Sequence, residues 1–302
     1  MTDALADASA LFRHEVAYCL GQRQEATALP SLRATLRDSS EHPMVRHEAG
    51  EALGAIGTPE CLQLLEQYQK DPCLEVAQTC QLALQRIQYY NRLQSSASSN
   101  PEQPFTPGTA ATSSSPSSAP RGVLEGTHNS TGAAEESASP YLSVDPAPAA
   151  PASTPTEQLR ATLLDERAPI FERYRALFAL RNKGGVEAVR ALDDCMQSDS
   201  ALLKHEVAYV LGQMQDAAAL DCLERVLRDE RENPMVRHEA AEALGSIADR
   251  RCVCLLETYS KDVEPIVAES CVVALDMLEY EESGELQYVD SGIVAQTAVA
   301  AC

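Results

Sequence analysis

The sequence predicts an all-α fold, a solenoid of stacked helical hairpins in two pseudo-symmetric halves that are joined by a disordered linker. Apolar residues recur at three- and four-residue spacing on both sides of a central stretch rich in Ser, Ala, Pro and Thr. The two sides repeat each other at a constant offset of 191 residues, and a period of 33 residues runs within each side. Aromatic residues make up only 5% of the chain, which is more typical of packed helices than of a β-sandwich.

The repeated segments define the two halves. ALFRHEVAYCLGQ at 10–22 matches ALLKHEVAYVLGQ at 201–213, and HPMVRHEAGEALGAIG at 42–57 matches NPMVRHEAAEALGSIA at 233–248. A period near 33 residues that is made of helix pairs is typical of solenoids. We therefore predict an N-terminal half, a low-complexity linker, a C-terminal half and a tail, at 1–94, 95–155, 156–282 and 283–302.

The two halves differ at their beginnings. A helical pair at 157–197 precedes His205, whereas only thirteen residues precede His14. The first half is therefore expected to lack its first repeat. Apolar side chains near the start of the chain would then lack the helical pair that normally packs over them in a solenoid.

Composition restricts the classes of partner. The net charge of -21 argues against nucleic acid as a partner, because phosphate binding needs clustered Lys and Arg. The charge suits a cationic substrate or serves only solubility. No apolar run is long enough to cross a membrane, no signal peptide is recognisable, and the ten cysteines show no paired spacing. We expect a cytoplasmic monomer with reduced cysteines.

Helix starts can be placed from caps. A candidate helix-capping residue stands five positions before each of four histidines. These candidates are Ser9, His42, Ser200 and Asn233. Pro43 and Pro234 follow at the first helical position, where a missing N–H does no harm. The four histidines therefore lie one turn into their helices. Glycines seven residues after each histidine predict helix ends or close helix contacts, at Gly21, Gly54, Gly212 and Gly245.

Four of the six histidines are followed by glutamate: His14-Glu15, His47-Glu48, His205-Glu206 and His238-Glu239. Neighbouring helices lie about 8–10 Å apart, so His14 and His47 can meet on one ion, and His205 and His238 on another. Two histidines with one carboxylate are a usual ligand set of redox iron, with open positions for dioxygen. The pattern therefore predicts two iron ions, with O2 as co-substrate.

A second interpretation is a repeat consensus on a solvated ridge, because duplication can copy one accidental pair to four places. The neighbouring repeats lack the pair, at 25–40, 58–93, 157–199 and 249–281. This favours metal binding. The pairs continue as HEVAY, HEAGE, HEVAY and HEAAE, so the H-E-x-x-H motif of zinc enzymes is absent and iron is favoured over zinc.

These motifs resemble the deoxyhypusine hydroxylase family throughout. The resemblance includes YLSVDPAP at 141–148 and FERYRALFALRN at 171–182, and it covers both halves. It implies HEAT-like repeats around a non-haem di-iron centre. It also implies hydroxylation of the deoxyhypusine side chain on the one translation factor that carries hypusine, as a protein substrate.

The resemblance also implies roles for the residues of the pairs. His14, His47 and Glu48 would hold one iron, and His205, His238 and Glu239 the other. Glu15 and Glu206 would face the substrate's ammonium groups or share in the metal shell, and the sequence leaves both roles open. Two other interpretations remain: a non-catalytic HEAT-type scaffold that binds a protein, and a helical-repeat protein similar to bilin lyases.

Overall fold

All regular secondary structure in residues 2–98 and 139–283, which are the residues that the computed structural model describes, is helical. The prediction of an all-α fold is confirmed. The α-helices of these two ranges are α1 (Ala10–Arg23), α2 (Leu29–Arg37), α3 (Pro43–Ile56), α4 (Pro59–Tyr68), α5 (Leu74–Ser98), α6 (Thr156–Leu164), α7 (Ile170–Lys183), α8 (Gly185–Cys195), α9 (Ala201–Met214), α10 (Leu220–Arg228), α11 (Pro234–Ile247), α12 (Val253–Tyr259) and α13 (Pro265–Ser283). Within the same ranges, short 3-10 helices form at Thr2–Ala6, Ala26–Ala28, Ala217–Ala219 and Arg250–Cys252.

The helices of each half form two layers. In the first half, α1 packs on α3 and α3 on α5, while α2 and α4 pack on α3 and α5 from outside. The second half repeats this arrangement with α9, α11 and α13 inside and α10 and α12 outside. This is the predicted solenoid of helical hairpins, and all four His-Glu pairs lie on its inner layer.

The additional helices of the second half lie where the two halves meet. Helices α6, α7 and α8 pack on one another, and α7 contacts both α5 and α9. In the described part of the first half, the residues before α1 form the 3-10 helix Thr2–Ala6, which packs on α1 and α2. None of the described helices is long and apolar enough to span a lipid bilayer.

The four predicted helix caps are confirmed. At each one, a side chain accepts a hydrogen bond from a backbone N–H in the first turn, which satisfies one of the orphan donors of a helix start. The donors are Phe12, Met44, Leu203 and Met235, and their nitrogens lie 3.0, 3.3, 3.2 and 3.0 Å from Ser9, His42, Ser200 and Asn233.

The predicted glycines allow the inner helices to approach one another. A Cβ atom added at Gly54 would lie 2.6 Å from the Cβ atom of Ala83, and one at Gly245 would lie 2.7 Å from the Cα atom of Ala274. The same holds at Gly21 and Gly212 against the next inner helix. All four glycines lie within their helices, so of the two predicted roles the structure shows close helix contact.

The two halves join through matched hydrogen bonds. Ser9 Oγ donates to Glu269 Oε2 at 2.5 Å, and Ser200 Oγ donates to Gln78 Oε1 at 2.8 Å. Ser9 and Ser200 are equivalent residues, as are Gln78 and Glu269, because both pairs are 191 positions apart. The halves are therefore related by an approximate twofold rotation. Their inner helices face each other across the junction.

The end of the predicted linker crosses this junction. We call residues 139–145 the strap. Val144 N donates to Gln22 Oε1 at 2.8 Å, and Gln213 Nε2 donates to Ser143 Oγ at 3.2 Å, so the strap is bonded to both halves. The predicted linker therefore ends in an anchored segment. The structure also describes 95–98, which end α5, and 146–155, which lead into α6. Residues 99–138 of the predicted linker, which include His128, lie outside the described residues, as does the tail from 284 onward.

Candidate metal centre

The four histidines meet at the junction between the halves. His14, His47, His205 and His238 lie in the second turn of α1, α3, α9 and α11 and are at most 6% exposed. The ring centroids of His14 and His238 are 5.3 Å apart, and those of the equivalent pair, His47 and His205, are 5.4 Å apart. Such burial is incompatible with a solvated ridge of consensus residues, so that interpretation is wrong.

All four imidazoles present an unused nitrogen. The Nε2 atoms of His14, His47, His205 and His238 are buried, and none has a hydrogen-bond partner among the described residues. A buried polar atom without a partner is costly. Four of them facing one space is the arrangement that a metal ion would satisfy. The donor set of imidazole nitrogens and carboxylate oxygens also suits iron.

Two glutamates, one in each half, lie at equivalent distances from the histidine Nε2 atoms. Glu48 Oε2 lies 3.4 Å from His14 Nε2 and 4.0 Å from His47 Nε2. Glu239 Oε2 lies 3.3 Å from His205 Nε2 and 4.0 Å from His238 Nε2. Ligand atoms of His14, His47 and Glu48 lie within 4.8 Å of one another, and so do those of His14, His205 and His238, which come from both halves. The grouping into one ion per half therefore stays a prediction.

The remaining predicted residues, Glu15 and Glu206, differ although their positions are equivalent. Glu15 Oε1 lies 2.8 Å from His14 Nδ1, and the side chain is partly exposed. Glu206 is only 4% exposed and makes no hydrogen bond or ion pair with another described residue. Glu15 therefore supports a histidine, whereas Glu206 is left unengaged.

Four residues that the sequence motifs did not single out line the same cavity. Each stands four positions after one of the histidines: Tyr18, Glu51, Tyr209 and Glu242. Residues four apart share one face of a helix, so the motifs HEVAY and HEAGE already contained this signal. The hydroxyl oxygens of Tyr18 and Tyr209 lie 2.8 Å apart across the junction. Gln213 Nε2 donates to the Tyr209 hydroxyl at 2.9 Å.

The Nδ1 atoms of two histidines contact hydroxyl side chains from the next inner helix. Thr79 Oγ1 lies 3.5 Å from His47 Nδ1, and Ser270 Oγ lies 3.3 Å from His238 Nδ1. Ser270 Oγ also donates to Glu242 Oε1 at 2.7 Å. Such contacts fix the orientation of a ligating imidazole.

An open cavity of about 420 Å³ adjoins the histidines. Its lining carries six carboxylates, Glu15, Glu48, Glu51, Glu206, Glu239 and Glu242, together with smaller and apolar side chains and Tyr141 of the strap. A cavity with this many carboxylates attracts cations.

Burial and mutual repulsion set the charge states. Burial raises the pKa of Glu206 well above its usual value, and repulsion from Glu51 adds to the effect. Burial, helped by Glu242, raises the pKa of Glu239 to about 8. Burial, with repulsion from His14, lowers the pKa of His205 to about 4. With no metal ion bound, these shifts favour the neutral forms of Glu206, Glu239 and His205.

Comparison with known proteins identifies the family. HEAT repeats match residues 1–85, and a PBS lyase HEAT-like repeat matches residues 236–261. The chain is 48% identical over 298 residues to deoxyhypusine hydroxylase of Danio rerio, covering 99% of this chain and 86% of that protein. It is 47% identical over 290 residues to deoxyhypusine hydroxylase of Homo sapiens, covering 96% and 83%. The chain belongs to the deoxyhypusine hydroxylase family.

The structure supports this membership. The solved structure of human deoxyhypusine hydroxylase in complex with glycerol aligns with a TM-score of 0.76 at 47% identity, over 92% of this chain and 83% of that chain. The resemblance drawn from the His-Glu motifs and the prediction of HEAT-like repeats are both confirmed. A scaffold or a bilin-lyase-like protein is correspondingly disfavoured.

Proposed function

We propose that this chain hydroxylates the deoxyhypusine side chain of the translation factor that carries hypusine, and that non-haem iron at the His-Glu cluster is its cofactor. The observation that carries the proposal is the meeting of four buried, unpartnered imidazole Nε2 atoms between the two halves. The similarity to proteins named deoxyhypusine hydroxylase supports the same reaction.

His14, His47 and Glu48 would hold one iron, and His205, His238 and Glu239 would hold the other. When bound, the iron pair supplies the redox chemistry by which one atom of O2 enters a C–H bond and the other leaves as water, with two electrons and two protons from an external reductant. Carboxylates alone cannot supply this chemistry, because acid–base catalysis cannot oxidise an unactivated C–H bond.

The chain's own residues bind and orient the substrate. Six carboxylates line the cavity, so a cationic, polyamine-like side chain is attracted to it. The apolar wall formed by Gly212, Ala243 and Met277 provides contacts for the alkyl part of that side chain. His47 and His238 are 0% exposed, and His14 and His205 line the cavity, so a substrate that fills the cavity would displace water from beside the proposed iron ligands.

The proposal is tested with purified protein, Fe(II), a reductant and the deoxyhypusine-bearing translation factor. We expect about two irons per chain and a substrate that gains one oxygen atom from isotopically labelled O2. A non-catalytic scaffold would bind the factor without iron and without a change of mass. That result would contradict the proposal.

A further inference from the structure

The strap forms part of the rim of the cavity. Tyr141 lines the cavity and is itself partly exposed, so the strap lies where the cavity meets solvent. On the proposed function, the substrate is a side chain of another protein. The polypeptide that carries this side chain must then lie over the opening of the cavity, where it meets the strap.

The strap is held in place on both sides of Leu142. Before it, the ring centre of Tyr141 lies 4.5 Å from the guanidinium carbon of Arg181. After it, Ser143 Oγ accepts hydrogen bonds from Arg181 Nη1 at 3.3 Å and from Gln213 Nε2 at 3.2 Å. The backbone at Leu142 is therefore positioned by contacts of its two neighbours.

The side chain of Leu142 is 102% exposed, so it is as accessible to solvent as in an extended chain. Single exposed apolar residues are common on protein surfaces, and exposure alone does not indicate a partner. Leu142 differs because its neighbours are anchored and because it follows directly on a residue that lines the cavity. An apolar side chain on a backbone that is already ordered can be buried by a partner without a further cost of ordering that backbone.

We propose that Leu142 is a docking residue for the protein substrate, and that it packs outside the cavity against an apolar side chain of the polypeptide that flanks the modified residue. This inference rests on the proposed function for the identity of the partner. The carboxylates of the cavity and the net charge of -21 suit a partner whose contact surface is basic around that apolar side chain. Leu142 thus helps to select the protein, whereas the cavity receives only its modified side chain.

The test compares the iron-loaded wild type with the variants Leu142→Ser, Leu142→Met and Val263→Ser. Leu142→Met keeps an apolar side chain of similar volume. Val263→Ser is the matched control, because Val263 is 100% exposed and is not among the residues that line the cavity. For each protein, the Kd of the deoxyhypusine-bearing factor is measured by calorimetry, and kcat, KM, iron content and melting temperature are measured in parallel.

We expect Leu142→Ser to raise both the Kd and the KM for the factor about tenfold, as the loss of one well-packed apolar contact does. Its kcat, iron content and melting temperature should stay unchanged, because a contact outside the cavity stabilises the bound substrate and the transition state equally. Leu142→Met and Val263→Ser should behave like the wild type.

Three results would overturn the inference. The first is an unchanged Kd in Leu142→Ser, and the second is an equal rise of the Kd in Val263→Ser. The third is a loss of iron or a lower melting temperature in Leu142→Ser, since Leu142 would then support the fold rather than the contact with the partner.

Failure of the proposed function gives a different pattern. If the wild type binds the factor without hydroxylating it, and Leu142→Ser weakens that binding, the docking residue is retained and the reaction is refuted. If the wild type hydroxylates the factor and Leu142→Ser binds it with an unchanged Kd, only the docking residue is refuted. A wild type that does not bind the factor would refute both.

Discussion

Asp145 of the strap forms an ion pair with Arg181 at 2.5 Å, and the guanidinium side chain of Arg181 is completely buried. The same side chain also donates to Ser143 and Gln213, so the strap is bonded to α7 and α9 together. The strap is part of the fold, although its sequence lies within the predicted linker.

Asp145→Ala is expected to destabilise the protein by about 3 kcal/mol or more, because it leaves a buried guanidinium without its carboxylate. Denaturant unfolding followed by circular dichroism measures the change. The control is a chain shortened within 99–138, which composition predicts to leave stability and iron content nearly unchanged. Equal losses from both changes would contradict this division of the linker.

Gly54→Ala is expected to separate α3 from α5, because the added Cβ atom would lie 2.6 Å from Ala83. We expect a loss of about 1–3 kcal/mol from overpacking, together with reduced iron content, since α3 carries His47 and Glu48. The control is Gly50→Ala, where the nearest atom is 3.3 Å away and the equivalent residue of the second half is already Ala241. That variant should fold and bind iron normally. If the Gly54→Ala variant kept its stability and iron content, the close contact between α3 and α5 would not be required.

His47→Ala and His238→Ala are each expected to lose iron from one half of the site and to abolish hydroxylation, because each removes one of three proposed protein ligands. Elemental analysis and activity are measured on protein whose helicity is checked by circular dichroism. The matched control is His42→Asn, since His42 caps α3 outside the cluster and its counterpart is Asn233. Full iron and activity in both alanine variants would refute the ligand assignment.

The metal-free protein is expected to lose stability with rising pH. The pKa of Glu239 is raised to about 8, mainly by burial, whereas an unfolded glutamate titrates near about 4.3. The folded state therefore holds this proton more tightly, and its contribution is present at acidic pH and lost as pH rises through about 8.

Glu239→Gln, which imitates the protonated group, should lack this component. The melting temperature of metal-free wild type should fall relative to that of the variant between about pH 5 and 8.5. Added Fe(II) should stabilise the wild type more than the variant, because a metal ion binds the ionised carboxylate. A constant difference between the two proteins across this range would contradict the assignment.

Much of this architecture could be predicted because the same sequence pattern occurs in both halves. The caps, the helix positions of the four histidines and the glycine contacts follow from local rules of spacing and side-chain chemistry. Tyr18 and Glu51 could have been included by the same rules, since each lies one turn beyond a histidine and shares its face.

The contacts of Glu15 and Glu206 could not be predicted, because the two residues stand in nearly identical sequences, RHEVAY and KHEVAY. Their difference arises from tertiary surroundings, which local patterns do not encode. The strap was missed for the same reason. Its composition resembles that of the linker, and residues distant in the chain, such as Arg181, 36 positions after Asp145, give it a fixed place.

Tyr18 and Tyr209 are counterparts whose hydroxyl groups meet on the approximate twofold axis. A single hydrogen bond between two identical groups has a direction, so no arrangement of its hydrogen obeys that rotation. Gln213 donates to Tyr209, whereas its counterpart Gln22 is occupied by the backbone of Val144, which favours Tyr209 as the donor to Tyr18. A duplicated gene can encode two equivalent halves, but the strap that connects them is present only once. The strap therefore makes the hydrogen bonding at the centre of the molecule directional, which neither half would do alone.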